Sequence, residues 1–428
     1  MEKVRLAFIG VGNRGSELLG YALENPRAEI VALCDVYRPY LDRTRDKVDP
    51  RFLSSGKVPR MTEVLPDAVD RYSDYRDVLD RKDIDAVVIA TPDHWHALQT
   101  IHAFGSGKDV FVEKPLTSSL HEGRAMVNAQ RETGRVGAVC LNRRGSSVYR
   151  ELADRVPEGI VGKIVSGVAG HSSNMCPNGI GRQQDAPPPD GLDWDFWLGP
   201  RAFRPYRVNI APYYFRWHKD YSTQMGNWGV HYMDAIRWLT NERAPCAVTA
   251  VGGKYALDDD RDIPDTMHVL FEFSSGMTVR FEVNEASSGS AVTGGEIELR
   301  GTKGTLIADE NGYRVIPGKP GQFQKWDASV DAENFQIEGE NQYGDLKTKE
   351  NSTANLIADF LECVLDKSKK PFCCLEEGHR STSFAHIANI ALACGRRLEW
   401  DADAERFIGD DEANGMLAYR YREPWSLT

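Results

Sequence analysis

At 428 residues the chain exceeds one ordinary domain, so two domains, or one with a long elaboration, are expected. Hydrophobic content of 41% and charged content of 27% are those of a globular protein, not of a disordered or membrane-embedded one. A net charge of −11 gives no global attraction to nucleic acid or anionic lipid, and the short basic run "NRRG" does not reverse it.

The opening "MEKVRLAFIGVG" has too short an apolar run for a signal-peptide core. No stretch approaches the roughly 18 apolar residues of a membrane span. A cytoplasmic protein with no membrane partner is the expectation. The eight cysteines include no Cys-x-x-Cys pair and read as reduced core residues, not as a zinc site.

In chain order, "VRLAFIGVGNRGSELLGYAL" reads as strand, glycine turn and helix, with Gly10-x-Gly12-x-x-Gly15 in the turn. The first glycine permits the tight turn, the second lets backbone approach a pyrophosphate, and the third lets helix and strand pack closely. Gly10, Gly12, Asn13, Arg14 and Gly15 are therefore candidate cofactor contacts, with the helix N-terminus offering its free N–H groups to phosphate. A second strand, "EIVALCDVY", ends on Asp35, twenty residues after Gly15. A carboxylate there accepts both ribose hydroxyls and repels a 2′-phosphate, favouring NAD over NADP; Arg38 close by is the one feature that accommodates a phosphate.

Residues 41–70 read as a linker rich in charge and proline. "DAVVIATP" is then a continuous apolar run, as a strand buried on both faces requires, and Thr91-Pro92 ends it at the carboxyl edge of the sheet. His94 and His96 resemble a metal pair, but no acidic or cysteine partner lies near them in sequence, so a packing or cofactor-contact role is the better reading. "DVFVE" ends at the same edge and places Glu113 and Lys114 at the cofactor crevice, with Lys114-Pro115 a candidate cis peptide.

"EGIVGKIVSGVAG" opens a second domain with a turn and a strand, and the proline- and aromatic-rich "QQDAPPPDGLDWDFWLGPRAFRPY" reads as a stiff irregular segment. Its aromatics are either core packing or a wall of a sugar site. "APYYFRWHKDYSTQMGNWGVHYMDAIRWLT" begins as a polar-aromatic loop and reads as helix from about Asn227, where Asn227 and His231 share a face. Tyr213, Tyr214, Arg216, His218, Lys219 and Tyr221 are candidate substrate contacts. "PDTMHVLFEFSSGMTVRFEVNE" is a hairpin, "EIELRGTKGTLIADENGYRVIPG" a meander, 318–352 a polar loop, and two helices follow. His379 and His386 are expected on the flanks of the second of these. The aromatic-rich end, "ANGMLAYRYREPW", should pack back on the body.

The set of Gly10-x-Gly12-x-x-Gly15, "ATPDHWH", "EKPLT" and "NWGVHYMD", in this order, resembles the Gfo/Idh/MocA oxidoreductases over nearly the whole chain. The resemblance implies an α/β fold: an N-terminal Rossmann domain (1–140), then a substrate-binding and oligomerisation α/β domain (141–428) with a large, mostly antiparallel open sheet. It implies NAD, or with less support NADP, and a sugar or polyol substrate. It maps the family lysine to Lys114, beside the nicotinamide and the reacting hydroxyl, and His231 to an assisting role. Thr91, Pro92, His96, Glu113 and Asn142 would line the nicotinamide half; Lys114, Tyr213, Arg216, His218, Asn227 and His231 would meet substrate. Family members often have Asp-x-x-x-His where this chain has Asn227 and His231, which weakens an Asp–His relay, because an amide takes up no proton. The sheet implies a homo-oligomer, dimer or tetramer.

The expected function is an NAD-dependent oxidoreductase acting on the CH–OH group of a sugar, glycoside or polyol, with no metal. Two rivals stay open: a glycosidase that oxidises, eliminates and re-reduces without net redox change, and an NAD-binding sensor without turnover.

Overall fold

Six segments of the first 140 residues form one sheet: β1 (Val4–Ile9), β2 (Ala28–Cys34), β3 (Asp70–Tyr72), β4 (Ala86–Ile89), β5 (Asp109–Val112) and β6 (Gly137–Val139). All its pairings are parallel, in the order β3-β2-β1-β4-β5-β6. The computed structural model describes residues 2–66, 68–319, 329–337 and 350–427. The central strands are apolar throughout because both faces are covered. Leu6, Phe8 and Val88 point into a core completed by Leu18 and Leu19 of helix Asn13–Glu24 and by Leu356 and Phe360 of helix Ser352–Leu365. Ala7, Ile9, Val87 and Ile89 point the other way, against helices His96–Gly105 and Leu120–Thr133. Helix Ser352–Leu365 thus comes from late in the chain to cover the first sheet.

The strand order reverses between β1 and β4, and at such a point the loops leaving the two strands diverge and open a crevice. The segment read as a linker is folded against this sheet. It carries short helices at Arg38–Leu41 and Pro50–Leu53, and buries Phe52 and Val58 beside β2.

The second sheet contains β7 (Ile164–Ser172), β8 (Ala247–Gly253), β9 (Thr266–Glu272), β10 (Thr278–Asn284), β11 (Ile297–Gly301), β12 (Gly304–Asp309), β13 (Gly312–Pro317), β14 (Glu333–Gln336), β15 (Leu398–Asp401) and β16 (Arg406–Phe407). Its order is β14-β13-β12-β11-β7-β10-β9-β8-β15-β16, and only β7 and β10 run parallel. The expected hairpin is β9–β10, turning on Gly276 at φ +87°. Strand alternation sends Val269, Phe271, Val279 and Phe281 inward, against helices Ser147–Arg155, Val230–Leu239 and Leu375–Cys394. Val165, Val251, Leu270, Ile316 and Phe335 stay exposed. The expected loop 318–352 contains β14, which pairs with β13; residues 320–328 and 338–349 lie outside the described residues. The C-terminal segment packs back as expected: Trp425 meets Trp95 edge-on at 4.8 Å, and Arg422 bonds Asp195 at 2.6 Å. Among the described residues no helix is long and apolar enough to cross a membrane.

Candidate active site

The glycine turn comes first. Gly10 has φ +86°, and a Cβ there would lie 2.9 Å from the Ala90 backbone, so β1 and β4 can meet at the crevice only with glycine at this position. A Cβ on Gly15 would stand 1.9 Å from the Gly10 carbonyl oxygen. Gly15 therefore packs the helix on the turn rather than lining the cleft. Gly12 caps helix Asn13–Glu24 without a side-chain acceptor, and no acid occupies the first turn. The positive helix end is left free beside Gly12, Asn13 and Arg14, all of which line the cleft.

Asp35 lies across the same cleft. One of its oxygens accepts the Val11 N–H at 2.8 Å and the other the Tyr37 N–H at 2.9 Å, which leaves lone pairs on both for ribose hydroxyls. Burial raises its pKa to about 6, still ionised at neutral pH. Arg38 turns to the surface and pairs with Asp42 at 2.8 Å, so its charge is already matched. A glycine cradle, an uncapped helix end and an ionised acid fit a dinucleotide with a free 2′-hydroxyl.

Lys114 stands at the far end of the cleft, after β5, and its peptide bond to Pro115 is cis. Its Nζ donates to the backbone oxygen of Asn227 at 2.8 Å and to Asn227 Oδ1 at 3.1 Å, both neutral acceptors. Burial lowers its pKa to about 8; Glu113 opposes the shift and Arg216 adds to it. Glu113 opposes it only in part, being engaged by Arg14 Nε at 2.5 Å. Asn227 sits in a π-type turn, Met225–Gly229, that precedes helix Val230–Leu239, where the spacing predicts helix directly. Such a turn is a frequent local feature of functional sites.

The amide of Asn227 belongs to a chain of oriented groups. Asn227 Nδ2 donates to Gln224 Oε1 at 3.1 Å, and Gln224 Nε2 donates to Glu285 Oε1 at 2.7 Å. Glu285 Oε2 accepts from Trp217 Nε1 at 2.9 Å and Arg261 Nη1 at 2.7 Å. Burial raises Glu285 to about 7.

Thr91, Pro92, Glu113, Tyr213, Arg216 and Asn227 line the cleft with Lys114. Tyr214, Lys219 and Tyr221 do not, nor do His96, Asn142, His218 and His231. His96 lies behind the wall, its ring bonded to the carbonyls of Pro115 at 2.8 Å and Thr91 at 2.9 Å, so it holds the wall in place. Asn142 turns to Glu310 at 3.3 Å. His218 is buried and bonded to the Asn209 carbonyl at 2.8 Å. His231 is buried just beyond the lining, its Nδ1 without a partner. Burial, then the charges of Lys114, Arg143 and Arg14, drive its pKa well below the usual range, so the ring is neutral. His94 bonds the Trp197 carbonyl at 2.9 Å. His379 is buried against Glu405 instead of flanking, and His386 is half-buried beside Thr117. No group of three His, Cys, Asp or Glu among the described residues can hold a metal ion.

Among the cleft residues, Asp93 escaped the sequence reading. Asp93 lies inside the quoted "ATPDHWH", where the histidines drew the attention. It is buried, burial raises its pKa, and Ser222 Oγ donates to it at 2.5 Å. Phe196 and Trp197 also line the cleft, so "LDWDFWLGP" supplies wall as well as core.

These features define a Rossmann-type nucleotide-binding oxidoreductase. Residues 4–140 match the oxidoreductase family with an NAD-binding Rossmann fold, 197–307 the GFO/IDH/MocA C-terminal domain, and 329–427 the oxidoreductase family C-terminal alpha/beta domain. The chain belongs to the Gfo/Idh/MocA family, and its cofactor is NAD. Among curated proteins it is similar to a glycosyl hydrolase family 109 protein of Shewanella sp. (strain W3-18-1), 31% identical over 174 residues, which is 40% of this chain and 35% of that one. The Shewanella baltica (strain OS155 / ATCC BAA-1091) counterpart is 30% identical over the same share. The match spans about a third of these relatives' length. Among solved structures, aldose-aldose oxidoreductase of Caulobacter crescentus, complexed with glycerol, has a TM-score of 0.64 at 18% identity, over 93% of this chain and 100% of that one. Levoglucosan dehydrogenase complexed with NADH has a TM-score of 0.66 at 18% identity, over 93% and 99%. At this identity the likeness is one of fold.

Proposed function

We propose that the protein is an NAD-dependent dehydrogenase acting on the CH–OH group of a sugar, glycoside or polyol, with Lys114 as its proton-transferring group. The observation behind this is a lysine at the nicotinamide end of the cleft, brought to a pKa of about 8 by burial and held only by neutral acceptors. Nicotinamide, when bound, supplies the hydride acceptor. The chain supplies the proton acceptor: the neutral amine takes the hydroxyl proton as the carbon is oxidised, and a pKa near working pH lets it return that proton to water. The neutral ring of His231 is suited to hydrogen-bond a substrate oxygen, not to store charge. Tyr213, Phe196 and Trp197 offer faces to sugar C–H groups. Glu285 sets the polarity of the amide chain. As an acceptor it fixes the NH₂ of Gln224, hence its carbonyl, hence the NH₂ of Asn227, so that Asn227 presents oxygen to Lys114.

A second reading draws support from the glycosyl hydrolase family 109 relatives. A ketone two carbons from the leaving group acidifies the C–H between them, so the aglycone can be eliminated with that proton, water can add in its place, and the hydride can then return to the ketone. This route needs a second base, for which Tyr213, Tyr214 and His218 are the candidates; Tyr213 lines the cleft, and Tyr214 and His218 do not. We also assign the exposed face of the second sheet to pairing between copies of the chain. Incubation with NAD and sugars, polyols and aryl glycosides, followed at 340 nm with product analysis, separates the readings. NADH with a ketone or lactone supports the dehydrogenase, and aglycone release without NADH moves the assignment to the glycosidase. Lys114→Met should lose about 10²-fold or more in kcat with NAD binding kept; near-normal turnover sinks the role of Lys114.

A further inference from the structure

Most buried guanidinium groups among the described residues are paired with a carboxylate; Arg201, set over the Tyr419 ring, is not. Arg143 meets Glu296 at 2.6 Å, Arg144 meets Asp234 at 2.9 Å, Arg237 meets Glu377 at 2.5 Å, and Arg261 meets Glu285 at 2.7 Å. This is the ordinary solution to the cost of taking a charge out of water. Arg216, which is half-buried, has no such pairing either. It lines the cleft near Lys114, and among the described residues it has no carboxylate within ion-pair distance. Its Nη1 donates to the Tyr213 carbonyl at 2.9 Å, and its guanidinium lies 4.4 Å from the ring centres of both Tyr213 and Phe215. Those contacts orient the planar fork and leave its charge unmatched.

Of the nearest acids, Glu113 is ion-paired with Arg14, and Asp93, which accepts from the Ser222 hydroxyl, stands beyond ion-pair distance of Arg216. Burial lowers the Arg216 pKa, and Tyr213, Asp93 and Glu113 counter this only in part, as expected of a desolvated cation awaiting a partner. Lys57, also a cleft residue, lies 5.4 Å from the Tyr213 ring and adds positive charge to the same wall. A neutral hydroxyl satisfies the N–H groups of such a fork but not its charge; a carboxylate satisfies both, through two parallel bonds.

We propose that Arg216 is a carboxylate subsite of the cleft, so that the substrate is a sugar acid: a polyhydroxy compound whose carboxylate seats on the guanidinium while one of its hydroxyls is presented to Lys114. The inference rests on the dehydrogenase reading for the hydroxyl but not for the carboxylate, and one experiment separates the two.

Glucose, glucuronate, galactose, galacturonate and gluconate are offered to the NAD-loaded protein, with rates read at 340 nm and binding by calorimetry. At least one acid should exceed its neutral counterpart by about tenfold or more in kcat/KM or in affinity, and added salt should narrow the gap. Arg216→Gln should remove that preference of acid over neutral sugar through KM, with NAD affinity kept; Arg216→Lys, which keeps the charge and loses the fork, should fall between and serves if the glutamine variant does not fold. Binding of an acid that depends on Arg216 but brings no turnover upholds the subsite and counts against the dehydrogenase reading. Equal handling of acids and neutral sugars overturns the subsite. So does an Arg216→Gln loss confined to NAD affinity, which would assign the guanidinium to the cofactor, and so does no binding by any of the acids.

Discussion

Lys114 has its pKa lowered to about 8, chiefly by burial. As a base it works neutral, so the rate of substrate oxidation should rise with pH through about 8 and level off above it. In the reverse direction the ammonium is the working form, and the rate should fall over the same interval. Initial rates in both directions across pH 6 to 10 check the sign; limbs of the same sense would exclude a single acid/base of this kind. Asn227 offers a sharper version. Its Oδ1 accepts from Lys114 Nζ at 3.1 Å. Asn227→Asp keeps the shape and places a negative charge there, which favours the ammonium, so the limb should move up by about one unit or more. The same aspartate faces Gln224 Oε1 with a second oxygen, and the amide must turn away from Glu285. An unmoved limb would show that the ammonium does not sense Asn227 in the working enzyme.

Between elements, the chain from Glu285 to Lys114 ties the second sheet to the loop after β5 through the π-type turn. Its direction depends on Glu285 accepting, as its ionised form does above about pH 7. Glu285→Gln offers an N–H to Gln224 and permits both amides to reverse, so that Asn227 faces Lys114 with a donor. The ammonium is then disfavoured, and the limb near 8 should move to lower pH with the KM for NAD unchanged. Loss of the Glu285 charge alone acts in the same sense, so Gln224→Met is the control: it breaks the chain without altering charge and should shift the limb likewise. A drop in kcat with an unmoved limb would make Glu285 merely structural. None of this chain was legible in the sequence, because Gln224 and Glu285 stand 61 residues apart and their meeting is decided by sheet topology. What was legible is local. The strand, glycine turn and helix at residues 4–24, the acid at Asp35 and the lysine after β5 are each set within a few residues by backbone freedom or strand burial. His218 and Asn142 were misplaced because spacing identifies a polar residue near a site, whereas its partners, Asn209 and Glu310, decide where it points. The π-type turn was missed because the spacing beyond it is truly helical.

At the scale of the whole molecule the open question is the outer face of the second sheet. Strand alternation requires one face to be apolar, and the helices cover it. The other face should then be polar, yet Val251 is 61% exposed, Leu270 41% and Ile316 46%. Scattered apolar residues are ordinary on a surface, but these lie on β8, β9 and β13 of one sheet, the first two on neighbouring strands, with Arg280 directly opposite Leu270 in the register. A flat face of this kind suits a second copy of itself, since apolar rows and charged neighbours can be matched by a two-fold operation. Light scattering on the purified chain should therefore give a mass that is a multiple of 47.9 kDa. Leu270→Glu, placed on the exposed side of β9 where folding does not depend on it, should lower that mass without lowering the melting temperature of the separated chain. The cleft lies between the parallel sheet and the opposite, helix-bearing side of the second body, so the variant should keep its NAD affinity. A wild-type chain that is monomeric at micromolar concentration would return this face to ordinary surface, and the apolar residues on it would need another explanation.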